Sequence, residues 1–456
     1  MPADFDAKDH GLQQLRVESY RGLVFASFSD RAPSLYDYIG PQMRSGLDRI
    51  LHKPIVYLGC TRQFSKSNWK LYNENVRDPY HASLLHAFFS TFNLHRVGMR
   101  VEFLGSDNGL HTCLKAFHTE DTTGGAAYRD EKVSSFKDGF MLEDTSILTN
   151  VKEFEEVVNA HIQPIFPQLV VTQIQNSLAV RQPLPKGPAN FELIFQFLRL
   201  RRRHARNASP PHQTGRLGWP GRAHLDGGHA GNRAGPIRYA GQRRDRDGGH
   251  GSRCIRRPAD AVQHFGKLDQ IILAWIPRTN GAMSNTMIAH SEELVMETTI
   301  RDITLWYQMH RLQERYVSVI DADRLEEWPD LFTEDGIYEI APKENADLGL
   351  PAGIMHCFGR PMLRDRITAL RKANLFEPHT YRHMTSGLEL VQVDANTVDI
   401  ESNYVVVQTL SDGESRVYQA GRYFDKVVNT AQGWRYQRKR AVYDTLRVQT
   451  LLVTPV

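Results

Sequence analysis

Residues 199–257 contain fifteen Arg, three Asp and neither Lys nor Glu. The rest of that stretch is mainly Gly, His, Pro and Ala, with almost no apolar periodicity. Such a segment buries too little surface to offset the entropy of ordering it, so it belongs to no packed core. It also distorts the average charge. The block carries +12, so the remaining residues must carry −8 to give the chain its net +4. The protein is acidic outside one arginine-only block. Arg and Gly can bind phosphates without specificity. However, the block has one Trp, one Tyr and no RGG repeat, which argues against a nucleic-acid-binding arm.

Other classes are excluded more simply. A chain of 456 residues has room for two to four domains at roughly 100–200 residues each. No apolar run approaches the roughly 18–20 residues of a membrane span. The first residues, MPADFDAKDHG, carry no apolar signal-peptide core. Cys60, Cys113, Cys254 and Cys357 are far apart and form no CxxC, which fits a reducing, cytoplasmic compartment. No Cys has a His two or three residues downstream, so a C-x-H…C-x2-H cluster site is absent.

The block separates three regions: 1–197, 198–282 and 283–456. In the first, Tyr20–Phe28 (YRGLVFASF), Leu169–Leu178 and Phe191–Phe197 read as strands. Val151–His161 has helical spacing at Val151, Phe154, Val157, Val158 and Ile162. In the third, Asp302–Ile320 predicts an amphipathic helix with Leu305, Trp306, Met309, Leu312, Tyr316 and Ile320 along one stripe. Arg324–Phe332 predicts a shorter helix. Strands follow at Gly336–Ile340, Tyr381–Val393, Thr397–Leu410, Arg416–Val428 and Trp434–Val453, with turns at Asp412-Gly413 and Thr430–Gly433. Helices followed by a long meander predict α+β, with a curved antiparallel sheet folded over the helices.

The chemistry concentrates in Asn68-Trp69-Lys70 and in NENVRDPYHASLLH, residues 73–86. It holds Asp78, His81 and His86. Two His near a carboxylate suit a divalent transition metal, and the 2-His-1-carboxylate triad suits non-haem Fe(II). At about 100° per residue, Asp78 and His81 share a helix face, whereas His81 and His86 lie about 140° apart. The two His converge only if the helix is irregular, through a π-type turn or a break near Pro79. Asp78 is also placed to be a helix N-cap, with Pro79 at the first helical position. Among nineteen His, an H-x4-H pair alone is a weak signal.

The segment NWKLYNENVRDPYHASLLH resembles the iron site of Rieske-type aromatic-ring-hydroxylating oxygenases, large (α) subunit. It is most similar to the branch acting on anthranilate, salicylate and benzoate. The resemblance covers about 1–197 and implies a partial helix-grip (START-like) catalytic domain. It implies His81 and His86 as ligands of mononuclear Fe(II). Asp78 is then the bridging carboxylate on the electron path from a neighbouring subunit's Rieske [2Fe-2S] cluster. Phe88 and Phe89 line the ring pocket or pack the core. Arg77 faces a substrate carboxylate or makes a surface ion pair. Residues 283–456, with RYVSVIDADRLEEWPDLFTEDGIYEI, resemble the small (β) subunit of the same enzymes. That subunit is an NTF2-like α+β cone with a mainly structural role in an α3β3 assembly. Its histidines here, His310, His356, His379 and His383, have no metal-ligand spacing. The family implies an aromatic acid and O2 as substrates, ferredoxin and reductase as electron donors, a role in aromatic catabolism, and no membrane partner.

Two departures stand out. The Rieske domain that opens the family's α subunit has no counterpart, Met1 falling just downstream of where it ends. The third iron ligand, an Asp in a context like ISMED, is missing in frame. The arginine block accounts for that loss. Read one base later with permitted codons, Leu198–Ala208 is compatible with FGYADDTPEM, so Arg201, Arg202 and Arg203 overlie Ala-Asp-Asp. Arg216–His229 is compatible with GLVGPAGLISMED. Trp275–Met283 is compatible with GYRELMGL and a stop overlapping the Met283 codon. Residues 198–282 then read as out-of-frame translation of the α C-terminus, fusing it to the β subunit. Gly227 and Gly228 sit where the ligand-bearing residues should be, and Asp226 is near only by accident of the shift. The expected result is an impaired oxygenase component, with a structural NTF2-like assembly module as the alternative.

Overall fold

The computed structural model describes residues 14–79, 81, 91–92, 100–117, 140–148, 154, 158–175, 177–201, 285–374, 376–449, 452 and 454–456. The chain divides into two units, one of residues 1–232 with 306–456 and one of 233–305. Of the second unit, the helical backbone from 285 and the side chains of 303–305 are described.

The larger unit begins with a hairpin of β1 (Arg16–Tyr20) and β2 (Leu23–Ser27). The sequence predicts one strand over Tyr20–Phe28. Instead, Arg21 and Gly22 both take positive φ, 53° and 86°, and this two-residue turn suits strand twist. Two helices follow, α1 (Leu35–Ile39) and α2 (Pro41–Ile50). Pro41 opens α2, where its missing N–H is no loss. Met43, Gly46, Leu47 and Ile50 form its buried face. Gly46 permits close approach to the sheet, since a Cβ there would meet Gln163 Oε1 at 2.3 Å.

Next come β3 (Ile55–Ser65), α3 (Trp69–Asn75), β4 (Val101–Gly105), β5 (Thr112–Phe117), β6 (Val158–Ile165), β7 (Leu169–Ile174), β8 (Ser177–Pro185) and β9 (Phe191–Leu200). The helical spacing read over Val151–His161 ends in strand β6. Its VNAHIQPI is paired on both sides, with β5 and β7, and a doubly covered strand need not alternate cleanly. The strand read over Leu169–Leu178 is split by a turn at Gln175, whose φ is 50°, and continues as β8.

The sheet these strands build is apolar on both faces. Leu178, Val180, Leu198 and Leu200 pack with Met43, Leu47 and Ile50 of α2. Val170, Ala179, Phe191, Leu193, Phe195 and Phe197 pack with Tyr72 of α3. Strand β9 runs three residues past Phe197, the last residue read as in frame. Leu198 and Leu200 flank Arg199, so the alternation survives and both leucines are buried.

The remaining elements start with α4 (Asn285–Asp321), which contains the predicted Asp302–Ile320 helix. A 3-10 turn over Leu325–Leu331 stands where the short helix was expected. Then come β10 (Phe332–Pro342), α5 (Lys343–Asp347), β11 (Met355–Phe358), α6 (Gly359–Lys372), β12 (His379–Val393), β13 (Thr397–Leu410), β14 (Ser415–Thr430), β15 (Gly433–Tyr443) and β16 (Val448–Gln449). Six strands form a sheet in the order β11-β10-β15-β14-β13-β12. Register shifts in β12–β15 and Gly421 bend it. A Cβ on Gly421 would lie 2.0 Å from Val442 O. Tyr404, Val406, Tyr423, Val427 and Tyr436 of the sheet are buried, as are Met309, Tyr316 and Ile320 of α4, and the Tyr316 ring packs edge-on against Tyr423 and Tyr436. The fold is thus mixed α+β, as expected. Among the described residues no helix is long and apolar enough to cross a membrane.

The two sheets are joined by contacts with no local sequence signal. Strand β16 lies parallel to β3 and completes an eight-stranded sheet, β16-β3-β9-β8-β7-β6-β5-β4. Glu192, 3% exposed, faces Arg62, Lys186 and Arg447 at 3.6, 3.5 and 3.3 Å. Asp365 of α6 accepts the N–H groups of Glu143 and Asp144. At the β3 bulge beside Gly59, Asn345 acts as a substitute strand neighbour. Its Oδ1 accepts the Cys60 N–H at 3.1 Å, and its Nδ2 donates to Cys60 O and Ala352 O at 2.8 and 2.7 Å. Replacing Asn345 by Ala leaves buried backbone groups unpaired, at about 1–3 kcal/mol. The Cys60 amide should then exchange with solvent deuterium faster than in the parent chain. An unchanged rate would assign no such role to Asn345.

Candidate functional site

Helix α3 is fixed at both ends. Asn68 Oδ1 accepts the Lys70 N–H at 3.0 Å, capping the N-terminus. Asn68 Nδ2 donates to Pro188 O at 2.8 Å. Tyr72, fully buried, lies 5.8 Å ring to ring from Phe191, and Asn73 Nδ2 donates to Pro167 O at 2.8 Å. The helix therefore sits on β7–β9 with its C-terminus presenting Arg77 and Asp78.

Past Val76 the chain turns. The Asp78 N–H donates to Glu74 O at 3.1 Å, and Asp78 itself is not helical. Helical backbone is present again at His81. The irregularity needed to bring His81 and His86 together lies outside the described residues. Asp78 and His81 do not share one continuous helix face. They nevertheless meet: His81 Nδ1 lies 3.4 Å from Asp78 Oδ2, with both residues half-buried. His86, Phe88 and Phe89 lie outside the described residues, as do Asp226, Gly227 and Gly228. Arg77 donates to Leu110 O at 2.7 Å and lies 3.8 Å from Glu74, so its guanidinium ties the turn to the neighbouring loop.

The donor set here is one imidazole with a carboxylate at Nδ1. A carboxylate that close to Nδ1 suits a His that coordinates through Nε2, although the contact, at 3.4 Å, falls short of hydrogen-bond geometry. Asp78 and His81 therefore fit one ligand of an iron site and its supporting carboxylate. Among the described residues no group of three His, Cys, Asp or Glu could hold a metal ion.

Among the described residues, several other His and Cys side chains have structural partners. His111 Nε2 lies 2.9 Å from Tyr38 O, its Nδ1 accepts the Phe166 N–H at 3.1 Å, and burial pulls its pKa down. Cys113 Sγ is 3.2 Å from His161 Nε2, and burial pushes the thiol up to about 11. Cys60 Sγ donates to Glu344 Oε1 at 2.7 Å. These cysteines form no paired motif and do not fit a Rieske cluster. In the C-terminal half, His356 faces Glu339, His379 faces Glu377 O and His310 stacks on Trp306. His383 Nδ1 lies 2.6 Å from Asp321 Oδ1. These four have separate partners, in keeping with their lack of ligand spacing.

Sequence reasoning passed over one buried cation on the α3 side of the sheet. Arg181, 5% exposed, donates to Tyr72 OH at 3.4 Å and lies over the Phe195 ring at 5.3 Å. Its only signal was a lone Arg inside an apolar strand.

A SnoaL-like domain model matches residues 301–440. The large subunit of anthranilate 1,2-dioxygenase from Burkholderia cepacia is 62% identical over 198 residues, 43% of this chain and 47% of that protein. The small subunit from the same organism is 60% identical over 161 residues, 35% of this chain and 100% of that protein. A terephthalate 1,2-dioxygenase terminal oxygenase component, subunit alpha 2, from a Comamonas species is 42% identical over 198 residues, 43% of this chain and 48% of that protein. The chain spans about half the length of the large-subunit relatives it matches, and the whole of the small subunit.

Proposed function

Because this chain belongs to the family of aromatic-ring-hydroxylating dioxygenase subunits, matching part of a large subunit and all of a small one, we propose that it is a fused oxygenase component for a carboxylated aromatic. Anthranilate-, terephthalate- and salicylate-acting relatives support that substrate class. The observation that carries the reading is the Asp78–His81 pair at 3.4 Å, set at the break that ends α3.

In this proposal His81 and His86 hold mononuclear iron, and Asp78 orients His81. Bound there, the metal would supply the redox chemistry with O2 that ring hydroxylation needs. The chain's own part is positional. Asn68 and Asn73 anchor α3, Tyr72 seats it on the sheet, and Arg77 holds the following turn. Electrons come from outside donors of the ferredoxin and reductase kind, and an α3β3-like assembly is the proposed oligomer. The described cysteines do not fit a Rieske cluster. Residues 1–197 are the catalytic part, 283–456 the small-subunit cone, and 198–282 an out-of-frame segment in which the third iron ligand is lost. Hydroxylation by this chain is therefore impaired.

The cone's role is scaffolding, favoured by the complete coverage of a small subunit. The coding DNA between codons 190 and 290 tests the fusion. Its frame one base later should encode FGYADDTPEM, an ISMED-like stretch and a stop at the Met283 codon. A shifted frame without these would end the fusion account.

A further inference from the structure

Three arginines from three elements of the C-terminal half are held close together. Arg360, in the first turn of α6, donates from Nε and Nη2 to Phe332 O at 3.0 and 2.8 Å. Phe332 pairs with Tyr436, so Arg360 lies beside the start of β15 and its Arg435. On the helix side, Trp434 Nε1 donates to Gln308 Oε1 of α4 at 2.8 Å. Arg315 lies two turns beyond Gln308 on the same stripe of that helix. Arg315 is exposed, and Arg360 and Arg435 are half-buried.

Like charges repel, and the effect is visible at Arg435. Burial, and then the charges of Arg315 and Arg360, pull its pKa below the ordinary value, with Asp330 opposing. Its Nη1 donates to Trp434 O at 2.9 Å, while its Nε is buried without a hydrogen-bond partner among the described residues. The carboxylates at ion-pair distance in this cluster, Asp330 and Glu334, both lie on Arg360 Nη1, at 3.9 and 3.5 Å, and both are largely exposed. Exposed pairs of that kind contribute little. Among the described residues, no carboxylate is so placed on Arg315 or Arg435.

We propose that Arg315, Arg360 and Arg435 form a binding site for a small oxyanion with two negative charges, of the phosphate kind. Two guanidiniums without carboxylates match two charges, and the planar fork of Arg suits paired oxygens. Binding relieves the mutual repulsion of the three cations. The inference is independent of the iron site.

The test is calorimetric titration of the full chain near pH 8, with inorganic phosphate, phenyl phosphate and benzoate as probes. Phosphate should bind saturably, and benzoate, with one charge, at least about tenfold more weakly. Whichever of the two phosphates binds tighter identifies the occupant as free ion or ester. Arg315→Gln with Arg435→Gln should weaken phosphate binding at least about tenfold. Arg243→Gln with Arg244→Gln removes the same charge from the arginine-rich block and should leave the affinity within about twofold. Arg315→Gln alone removes no buried group. Without phosphate it should melt no lower than the parent, yet it should gain less stability when phosphate is added. No saturable binding, equal losses in the two double variants, or benzoate as tight as phosphate would overturn the proposal.

Discussion

Asp425→Ala should destabilise the C-terminal half by about 3–5 kcal/mol, the usual cost of orphaning one member of a buried ion pair. Lys439 Nζ lies 2.7 Å from Asp425 Oδ2, and both side chains are fully buried. The ammonium also sits 3.7 Å from the Tyr423 ring centroid, with Tyr316 and Tyr436 at 4.3 and 4.6 Å. Burial pushes Asp425 up and Lys439 down, and their mutual attraction works against both shifts. Without the carboxylate, Lys439 keeps its rings and Gln313 but loses its counter-charge. The double change Asp425→Leu with Lys439→Met should cost less than the single one, because nothing charged is left buried. Urea midpoints followed by near-ultraviolet circular dichroism compare the two. A single variant within about 1 kcal/mol of the parent, or a double variant worse than the single, would contradict the assignment.

The second large effect concerns the iron site. His81→Ala should weaken Fe(II) binding by about a hundredfold or more, since it removes a ligand outright, whereas Asp78→Asn should weaken it by about 10–100-fold through loss of orientation. Asp78→Glu, which keeps the charge, should recover part of that loss. Anaerobic titration against a colorimetric chelator reads all three. Arg371→Ala serves as the control, since its guanidinium pairs with Asp323 and Glu326 and with no residue of the site. Iron affinity unchanged in His81→Ala would remove His81 from the site.

Much of this architecture was legible because local pattern and tertiary role agree. Strand Thr397–Leu410 and the α4 stripe from Met309 to Ile320 were read directly, since strand and helix periods there match the burial, whereas Trp306, placed on the same stripe, is 40% exposed. The misses have physical causes. Arg21-Gly22 hid a turn inside a β-rich run, and Val158 begins a strand at the end of a helical-looking spacing. Helix α6 was overlooked beneath its charges, although Leu363, Ile367 and Leu370 mark its buried face. The β16–β3 pairing and the Asn345 bridge join residues nearly 400 and 300 positions apart, and no local rule reaches that far. At the proposed site, residue type and spacing singled out Asp78 and His81, whose side chains lie 3.4 Å apart. The break between them was not anticipated: the two were expected on one helix face, and an irregularity was required only to bring His81 and His86 together. The Asp78 carboxylate against Nδ1, instead of on a shared helix face, came from the fold.

In the proposed reading the N-terminal half is an iron site whose third ligand was lost to a change of frame. Anaerobic iron stoichiometry tests it most directly. This chain is compared with the products of the same gene after codons 198–282 are returned to the frame one base later. The restored large-subunit chain, with its separate small subunit, should hold about one mononuclear iron, as a complete 2-His-1-carboxylate triad would. The present chain should hold far less at the same free iron. If the present chain binds iron as fully as the restored one, the claim is wrong.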